Sequence, residues 1–244
     1  MTKLGLVDPL ATVRVCGAMI EELAGFGLSV STCSNLEALN TARTSARGSP
    51  VSPYFDGAVT QLTADRCLWL KATDGSGAIM GLQAFRLDEV TTSLADWGIS
   101  YFIGVYMRRQ ELMVPSHPAP PEGSIAERLH GRLVYHGELW LNPAVKNRRA
   151  FERFSRLGLM LCLVKWNPDA IWGLASHQMA SHGHVGRIGY CHLERGFQRW
   201  LWKSDGIDPV EYLAVAEREN LEQMVAEEIA TITGSRPDTP RSPP

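Results

Sequence analysis

Residues 133–166 read LVYHGELWLNPAVKNRRAFERFSRLGLMLCLVKW, and the change of rhythm inside this stretch decides the fold. Val134, His136, Glu138 and Trp140 alternate with Tyr135, Gly137, Leu139 and Leu141, the period of two that a strand imposes. Pro143 has no N–H to give to a ladder and ends the run. From Ala150 onward, Phe151, Phe154, Leu157, Leu161 and Val164 recur at three and four, the spacing of one helix face. The stretch is therefore a strand, a short basic turn and a helix, with the helix N-terminus facing whatever lies past the strand end. Lys146, Arg148, Arg149 and Arg153 crowd that N-terminus. A helix start carries roughly half a positive charge, so each cation there costs about 0.3–1 kcal/mol. The crowding makes sense if a phosphate-bearing ligand docks on free N–H groups of the turn. The plainer alternative is a solvated basic face, partly relieved by Glu152.

Working outward, turn chemistry marks the elements on either side. Upstream, 67–72 is a strand, 73–77 (TDGSG) is a Gly-served turn, and 78–87 is the returning strand of a hairpin. Gly81 inside the second strand hints at a bulge or a close backbone approach. Residues 93–107 are apolar and aromatic and suit a helix; 115–121 hold four prolines and form a loop. Nearer the start, Asp8-Pro9 is an N-cap followed by Pro at the first helical position. A strand over 28–32, a helix over 35–43, a loop over 46–53 and a short helix over 55–62 follow. Downstream, Asn167-Pro168 stops the helix. Residues 170–175 (AIWGLA) are a short buried strand, 176–185 a short helix interrupted near Gly183, 189–193 a strand, 194–196 a turn and 197–203 a final strand. Asp208-Pro209-Val210-Glu211 looks like the capping start of a long helix reaching about 232. Residues 233–244 are rich in Pro, Ser and Thr, a composition expected to be disordered.

The bulk properties exclude several classes. The 244 residues are 45% hydrophobic and 20% charged with a formal net charge of −2, so no global field draws the chain to nucleic acid or to an anionic membrane. No apolar run reaches the roughly 18 residues of a membrane span, and the opening residues, without a basic start and a long apolar run, lead us to expect no secretory leader. Cys16, Cys33, Cys67, Cys162 and Cys191 are odd in number and lack C-x-x-C spacing, which suits reduced thiols and a cytoplasmic protein. His177, His182, His184, Cys191 and His192 fall in one segment. Without H-E-x-x-H or a spaced acidic partner they are better read as edge and loop residues than as zinc ligands, so no metal is expected. Trp200 and Trp202 beside Arg199 and Lys203 fit strand alternation better than base stacking.

Residues 55–203 resemble the GNAT superfamily of N-acyltransferases. WLKATDGSGAIMGLQAFRL resembles the family's second and third strands; GELWLNPAVKNRRAFERFSRLG its fourth strand, pyrophosphate loop and following helix; DAIWGLA its fifth strand; and VGRIGYCHLERG its closing segment. The resemblance implies an α/β fold with a mixed, mostly antiparallel central sheet flanked by helices. Residues 55–206 would form the acyltransferase core, 1–54 a helical extension packed on it, 207–232 a C-terminal helix and 233–244 a tail. It further implies acetyl-CoA or another acyl-CoA as co-substrate and a small-molecule or peptide amine as acceptor. A homodimer is compatible with it; nucleic acid and membrane are not expected as partners. Leu139 and Leu141 would lie along the acyl-CoA arm through their backbone, and Lys146, Asn147, Arg148, Arg149 and Ala150 would meet its phosphates. The chain departs from the family where Arg149 and Phe151 replace two small loop residues. It departs again where Val185 stands in place of the common acid tyrosine, with Tyr190 at the usual Phe position. The thioester carbonyl needs an oxyanion donor and the amine needs a base. Glu138 and His136, on one strand face by alternation, are the candidate bases, and Tyr190 is the candidate replacement acid. Two further readings stay open: acyl transfer from acyl carrier protein, and a GNAT-like binding or regulatory module without catalysis.

Overall fold

In the computed structural model, which describes residues 8–111, 114–116, 120–202 and 208–234, Asp8 accepts from the Leu10 N–H and starts helix α1 (Pro9–Gly25). Strand β1 (Ser29–Cys33) follows, then α2 (Leu36–Arg47), capped by the Asn35 side chain and closed by Gly48 in the left-handed region. Where a short helix over 55–62 is expected, the chain makes one 3-10 turn at Pro53–Phe55, whose three side chains are all buried. The hairpin forms as read, β2 (Cys67–Thr73) and β3 (Ile79–Val90), with a register shift opposite Gly81. A Cβ at Gly81 would stand 2.9 Å from Leu141 Cδ1, the close approach that the glycine signalled. Residues 94–107 wind as α3 (Leu94–Trp97), a π turn (Gly98–Phe102) and α4 (Ile103–Met107). A short strand β4 (Val114–Pro115) precedes β5 (Gly131–Leu141), and α5 (Arg148–Trp166) follows the basic turn. Then come β6 (Ala170–Ala175), α6 (His177–Ser181), α7 (His184–Ile188), β7 (His192–Trp202), β8 (Val210–Glu217) and α8 (Arg218–Ile232).

Two expectations are corrected. Residues 192–202 are one strand rather than two with a turn between. The turn signal at 194–196 marks a bulge, with Gly196 at φ 106°. Residues 210–217 are a strand rather than the first half of the C-terminal helix. Leu213 and Val215 enter the core on one face of the sheet, while Ala214 and Ala216 enter the core on the other. Such burial on both faces needs period two, which a helix cannot supply. The helix begins at Arg218, where Glu217 and Asn220 form a capping box. Of the tail, 235–244 lie outside the described residues, as does Lys203 at the end of the expected final strand.

The described strands join in the order β1-β2-β3-β5-β6-β8-β7-β4. Every pairing is antiparallel except β5 with β6, the two strands that α5 connects. Helices α1, α5 and α8 cover one face, with Val15, Leu157 and Val225 in the core beneath them. Helices α2, α3 and α4 cover the other, over Leu39, Leu94, Phe102 and Tyr135. The fold is thus a mixed, mostly antiparallel α/β sheet flanked by helices.

Candidate active site

The one parallel junction is where the sheet splits. β5 and β6 pair from Leu133↔Ala170 to His136↔Gly173 and no further. Beyond that point β5 stays with β3, up to Gly81↔Leu141, while β6 stays with β8, up to Ala175↔Tyr212. Two features of the chain enforce the parting. Gly173 allows the last close approach, since a Cβ there would sit 2.7 Å from the His136 carbonyl oxygen. Just past it, β5 bulges. Ala84 faces Gly137 but Leu82 faces Trp140, so Glu138 and Leu139 together oppose Gln83. A bulge leaves one residue unpaired and bends its strand, which turns the backbone groups of 138–139 off the ladder.

A cavity of about 250 Å³ opens in the split and runs from one face of the sheet to the other. On the α5/α7 side it is lined by His136, Leu139, Val185 and Tyr190; on the α2/α4 side by Arg43, Tyr106, Glu138, Trp200 and Glu211. An extended ligand entering from one face can therefore meet a second ligand entering from the other.

The bulge also separates the two sequence candidates for a base. They do not share a strand face, because the extra residue resets the alternation. Glu138 sits at φ 56°, in the left-handed region, and its carboxylate turns towards α2. Its Oε1 accepts from the Ser52 N–H at 2.7 Å and its Oε2 from Arg43 Nε at 2.7 Å, with Arg43 braced in turn by Ser49 Oγ. His136 turns the opposite way, stacked on Phe85 with ring centroids 4.3 Å apart. Its Nδ1 lies 2.7 Å from the Tyr190 hydroxyl, and its Nε2 is buried with no partner among the described residues. Burial pulls the imidazole down to about 3, so it is neutral at neutral pH. Burial pushes the Tyr190 phenol well up, which keeps it protonated.

A second carboxylate is one that the sequence reading placed in a helix cap. Glu211, on β8 and opposite Gln198, lines the cavity and accepts from Trp200 Nε1 at 2.8 Å. Burial raises its carboxyl to about 7; the Trp200 hydrogen bond opposes the rise and Asp208 adds to it. The available signal was VEYLAV, a β-branched and aromatic run just ahead of the true capping box at Glu217.

The basic turn divides into two pairs. Arg149 pairs with Glu22 of α1, and Arg153 lies 2.8 Å from Glu22 and 2.7 Å from Glu228 of α8. These guanidinium groups are matched to carboxylates, which accounts for their place near a helix start without a ligand. Lys146 and Arg148 are exposed, and no carboxylate lies within ion-pair distance of them among the described residues. Asn142 and Asn147 organise the turn, accepting from the Ala144 and Arg149 N–H groups at 2.9 Å each. Ala150 gives its N–H to the Asn147 carbonyl and its side chain is buried, so it faces the core. The N–H groups of Lys146, Asn147 and Arg148 have no acceptor among the described residues. Three successive N–H groups without an acceptor thus lie beside two exposed cations, an arrangement with the chemistry that anions need. Alongside lies a surface depression of about 360 Å³ between the start of α5 and α7, lined by Arg148, Arg149, Phe151, Glu152, His184 and Arg187. Leu139 and Leu141 run along β5 between this turn and the cavity, packed against the core beneath α5. Among the described residues no three His, Cys, Asp or Glu side chains converge as a metal set, and no helix is long and apolar enough to cross a membrane.

Fold and site together define a helix-flanked α/β sheet with a passage through its split and, past the end of β5, a basic turn with unpaired N–H groups. Three solved structures are similar to this chain over most of their length. One is an N-acyl amino acid synthase from uncultured soil microbes, 8% identical, covering 79% of this chain and 91% of its own, with a TM-score of 0.44. Another is the ribosomal-protein-S5-alanine acetyltransferase from Vibrio fischeri, 8% identical, covering 79% and 94%, at 0.47. A third is a spermidine N-acetyltransferase chimera from Vibrio cholerae, 10% identical, covering 80% and 98%, at 0.44. No family model and no curated protein matches the chain.

Proposed function

We propose that the protein is an acyl-CoA-dependent N-acyltransferase in which an amine attacks a bound thioester directly. The observation that carries this reading is the split between β5 and β6, which opens a passage through the sheet on the strand that the basic turn follows. Lys146, Arg148 and the free N–H groups of 146–148 suit the phosphates of coenzyme A. The edges of β5 and β6, unpaired beyond His136 and Gly173, offer donors and acceptors to the amides of its arm. The backbone N–H groups of Glu138 and Leu139, at the bulge where β5 loses its regular pairing, are the donors this reading assigns to the thioester oxyanion. Tyr190, held by His136 and protonated, lines the same passage and suits protonation of the departing thiolate. In this scheme Glu138 shapes the site, with both carboxylate oxygens engaged by Ser52 and Arg43, and His136 positions Tyr190. In this reading the acyl group is acetyl, and the acceptor is an amine reaching the passage from the α2/α4 side.

A second reading, a GNAT-like module that binds acyl-CoA without turning it over, is favoured by one fact. Both bases expected from the sequence are occupied or neutralised. Isothermal titration with acetyl-CoA tests the shared part of the two readings. Saturable heat and thermal stabilisation are expected; no heat and no stabilisation at millimolar acetyl-CoA removes both. The same titration with acyl carrier protein distinguishes the third possibility, in which the basic rim meets an acidic carrier.

A further inference from the structure

Resting on the acyltransferase reading, we infer that Glu211 is the general base that takes the proton from the attacking amine. Its placement carries the inference. Glu211 lines the passage on the α2/α4 side, across the sheet from the Tyr190 hydroxyl, so a carbonyl carbon held between the parted strands has the two groups on opposite sides. Glu138 has both oxygens engaged and His136 faces the other way, whereas Trp200 is the one donor to Glu211 among the described residues. The Trp200 N–H binds Oε2, which fixes the carboxylate and leaves Oε1 for the passage. The walls beside it, Tyr106, Tyr135 and Trp200, are aromatic and buried, and Tyr106 stands edge-on to Trp200 at 4.9 Å.

The charges around Glu211 come from several elements. Asp208 precedes it on the chain, Tyr106 approaches from α4, Tyr135 and Glu138 from β5, and Arg43 and Arg47 of α2 line the same cavity. Burial, with a smaller contribution from Asp208, holds the carboxyl near neutrality, where a base is both free to accept and strong enough to matter.

The step balances without another reagent. The amine nitrogen forms a bond to the thioester carbon as the carbon–sulfur bond breaks. The nitrogen's surplus proton passes to Glu211 Oε1, and the thiolate takes a proton from Tyr190. Glu211 then gives its proton to solvent and the Tyr190 phenolate takes one from solvent, which returns both groups to their starting states.

The experiment uses the full chain, acetyl-CoA and 2-phenylethylamine, an aromatic primary amine chosen to match the aromatic walls. Release of the coenzyme thiol is followed against pH. In the native protein the rate is expected to rise with pH through an inflection near 7. Glu211→Gln is expected to lower the rate by about 100-fold or more and to abolish that inflection, with acetyl-CoA affinity unchanged. Trp200→Phe, which keeps the carboxylate and removes its hydrogen bond, is expected to move the inflection to higher pH; it keeps the test open should Glu211→Gln not fold. The assignment is overturned if Glu211→Gln keeps the inflection, or if Trp200→Phe leaves it in place. It is equally overturned if native protein that binds acetyl-CoA releases no thiol to the amine. Absence of acetyl-CoA binding by the native protein overturns the acyltransferase reading itself, so the two failures are distinct.

Discussion

Glu138 shows how a single backbone angle organises the site. A non-glycine residue at φ 56° pays a steric penalty of order 1 kcal/mol, and it persists because its surroundings over-determine it. Here the surroundings are the Ser52 N–H and the Arg43 guanidinium, both at 2.7 Å from a carboxylate that is only 4% exposed. The same angle bends β5 away from β6, so strain at one residue opens the passage. Glu138→Ala retains the strained angle and strands Arg43 without its carboxylate; it should cost about 3–5 kcal/mol of stability. Glu138→Gly loses the same bonds but occupies the left-handed region freely, so it should be more stable than the alanine variant by about 1 kcal/mol. Urea unfolding of the two variants reads the difference directly. Equal midpoints would mean that the angle itself is not under strain. This residue also marks the limit of periodic reading. Alternation placed Glu138 and His136 in the right strand, but on one face, because a bulge inserts its extra residue without altering the pattern of apolar letters. Their positions at the split were legible; the directions they point were not.

Elements were more legible than residues, and the reason differs from case to case. β5 and α5 were plain because a change of period coincides with a proline and an asparagine cap. The β2–β3 hairpin was plain because Asp74 accepts from the Ser76 and Ala78 N–H groups and fixes the turn locally. β8 was missed because Asp208-Pro209 imitates a helix start and its apolar run, 212–216, fits either period. Only its central place between β6 and β7, buried on both faces, makes it a strand, and that is tertiary information. With β8 went Glu211. At the start of α5 the sequence showed four cations and a reason to expect an anion. It could not show that Glu22 and Glu228, on helices more than a hundred residues away in one case and more than seventy in the other, already answer two of them. The division sorts the four by role. Lys146→Ala with Arg148→Ala should weaken acetyl-CoA binding by about tenfold or more and flatten its salt dependence, while leaving the melting temperature unchanged. Arg153→Ala, by contrast, removes a buried partner of Glu228 and should lower stability first. Titration and thermal melts at two salt concentrations separate the pairs. Unchanged affinity in the Lys146/Arg148 double variant would leave the turn without an anion to hold.

At the scale of the whole molecule, the sheet behaves as two half-sheets, β1-β2-β3-β5 and β6-β8-β7-β4, joined by four parallel residue pairs. Each half brings to the seam one group, His136 or Glu211, that burial shifts within the acid-to-neutral range, and it shifts the two in opposite senses. His136, from the first half, is held down at about 3 against an ordinary value of 6.5. In the unfolded chain it binds a proton below 6.5 that the folded chain refuses, so its contribution to stability is complete above pH 6.5 and is lost as pH falls towards 3. Glu211, from the second half, is held up at about 7 against an ordinary value of 4.5. The folded chain keeps a proton that the unfolded chain releases, so its contribution is complete below pH 4.5 and is lost as pH rises through 7. Each slope is about 1.4 kcal/mol per pH unit and they are opposite in sign, so between pH 4.5 and 6.5 the two cancel. The seam by itself therefore gives stability that rises from pH 3, levels off, and declines as neutrality is approached. Glu211→Gln takes away the declining slope and leaves that of His136. The difference in unfolding free energy between this variant and the native protein, from urea midpoints at half-unit pH steps, should grow in the variant's favour from pH 4.5 to 7 and then stay constant. His136→Phe should produce the mirror result, with the difference accumulating below pH 6.5. A difference that does not vary with pH in either variant would mean that the corresponding group titrates alike in the folded and unfolded chain, and that the passage is wet enough to solvate its charge.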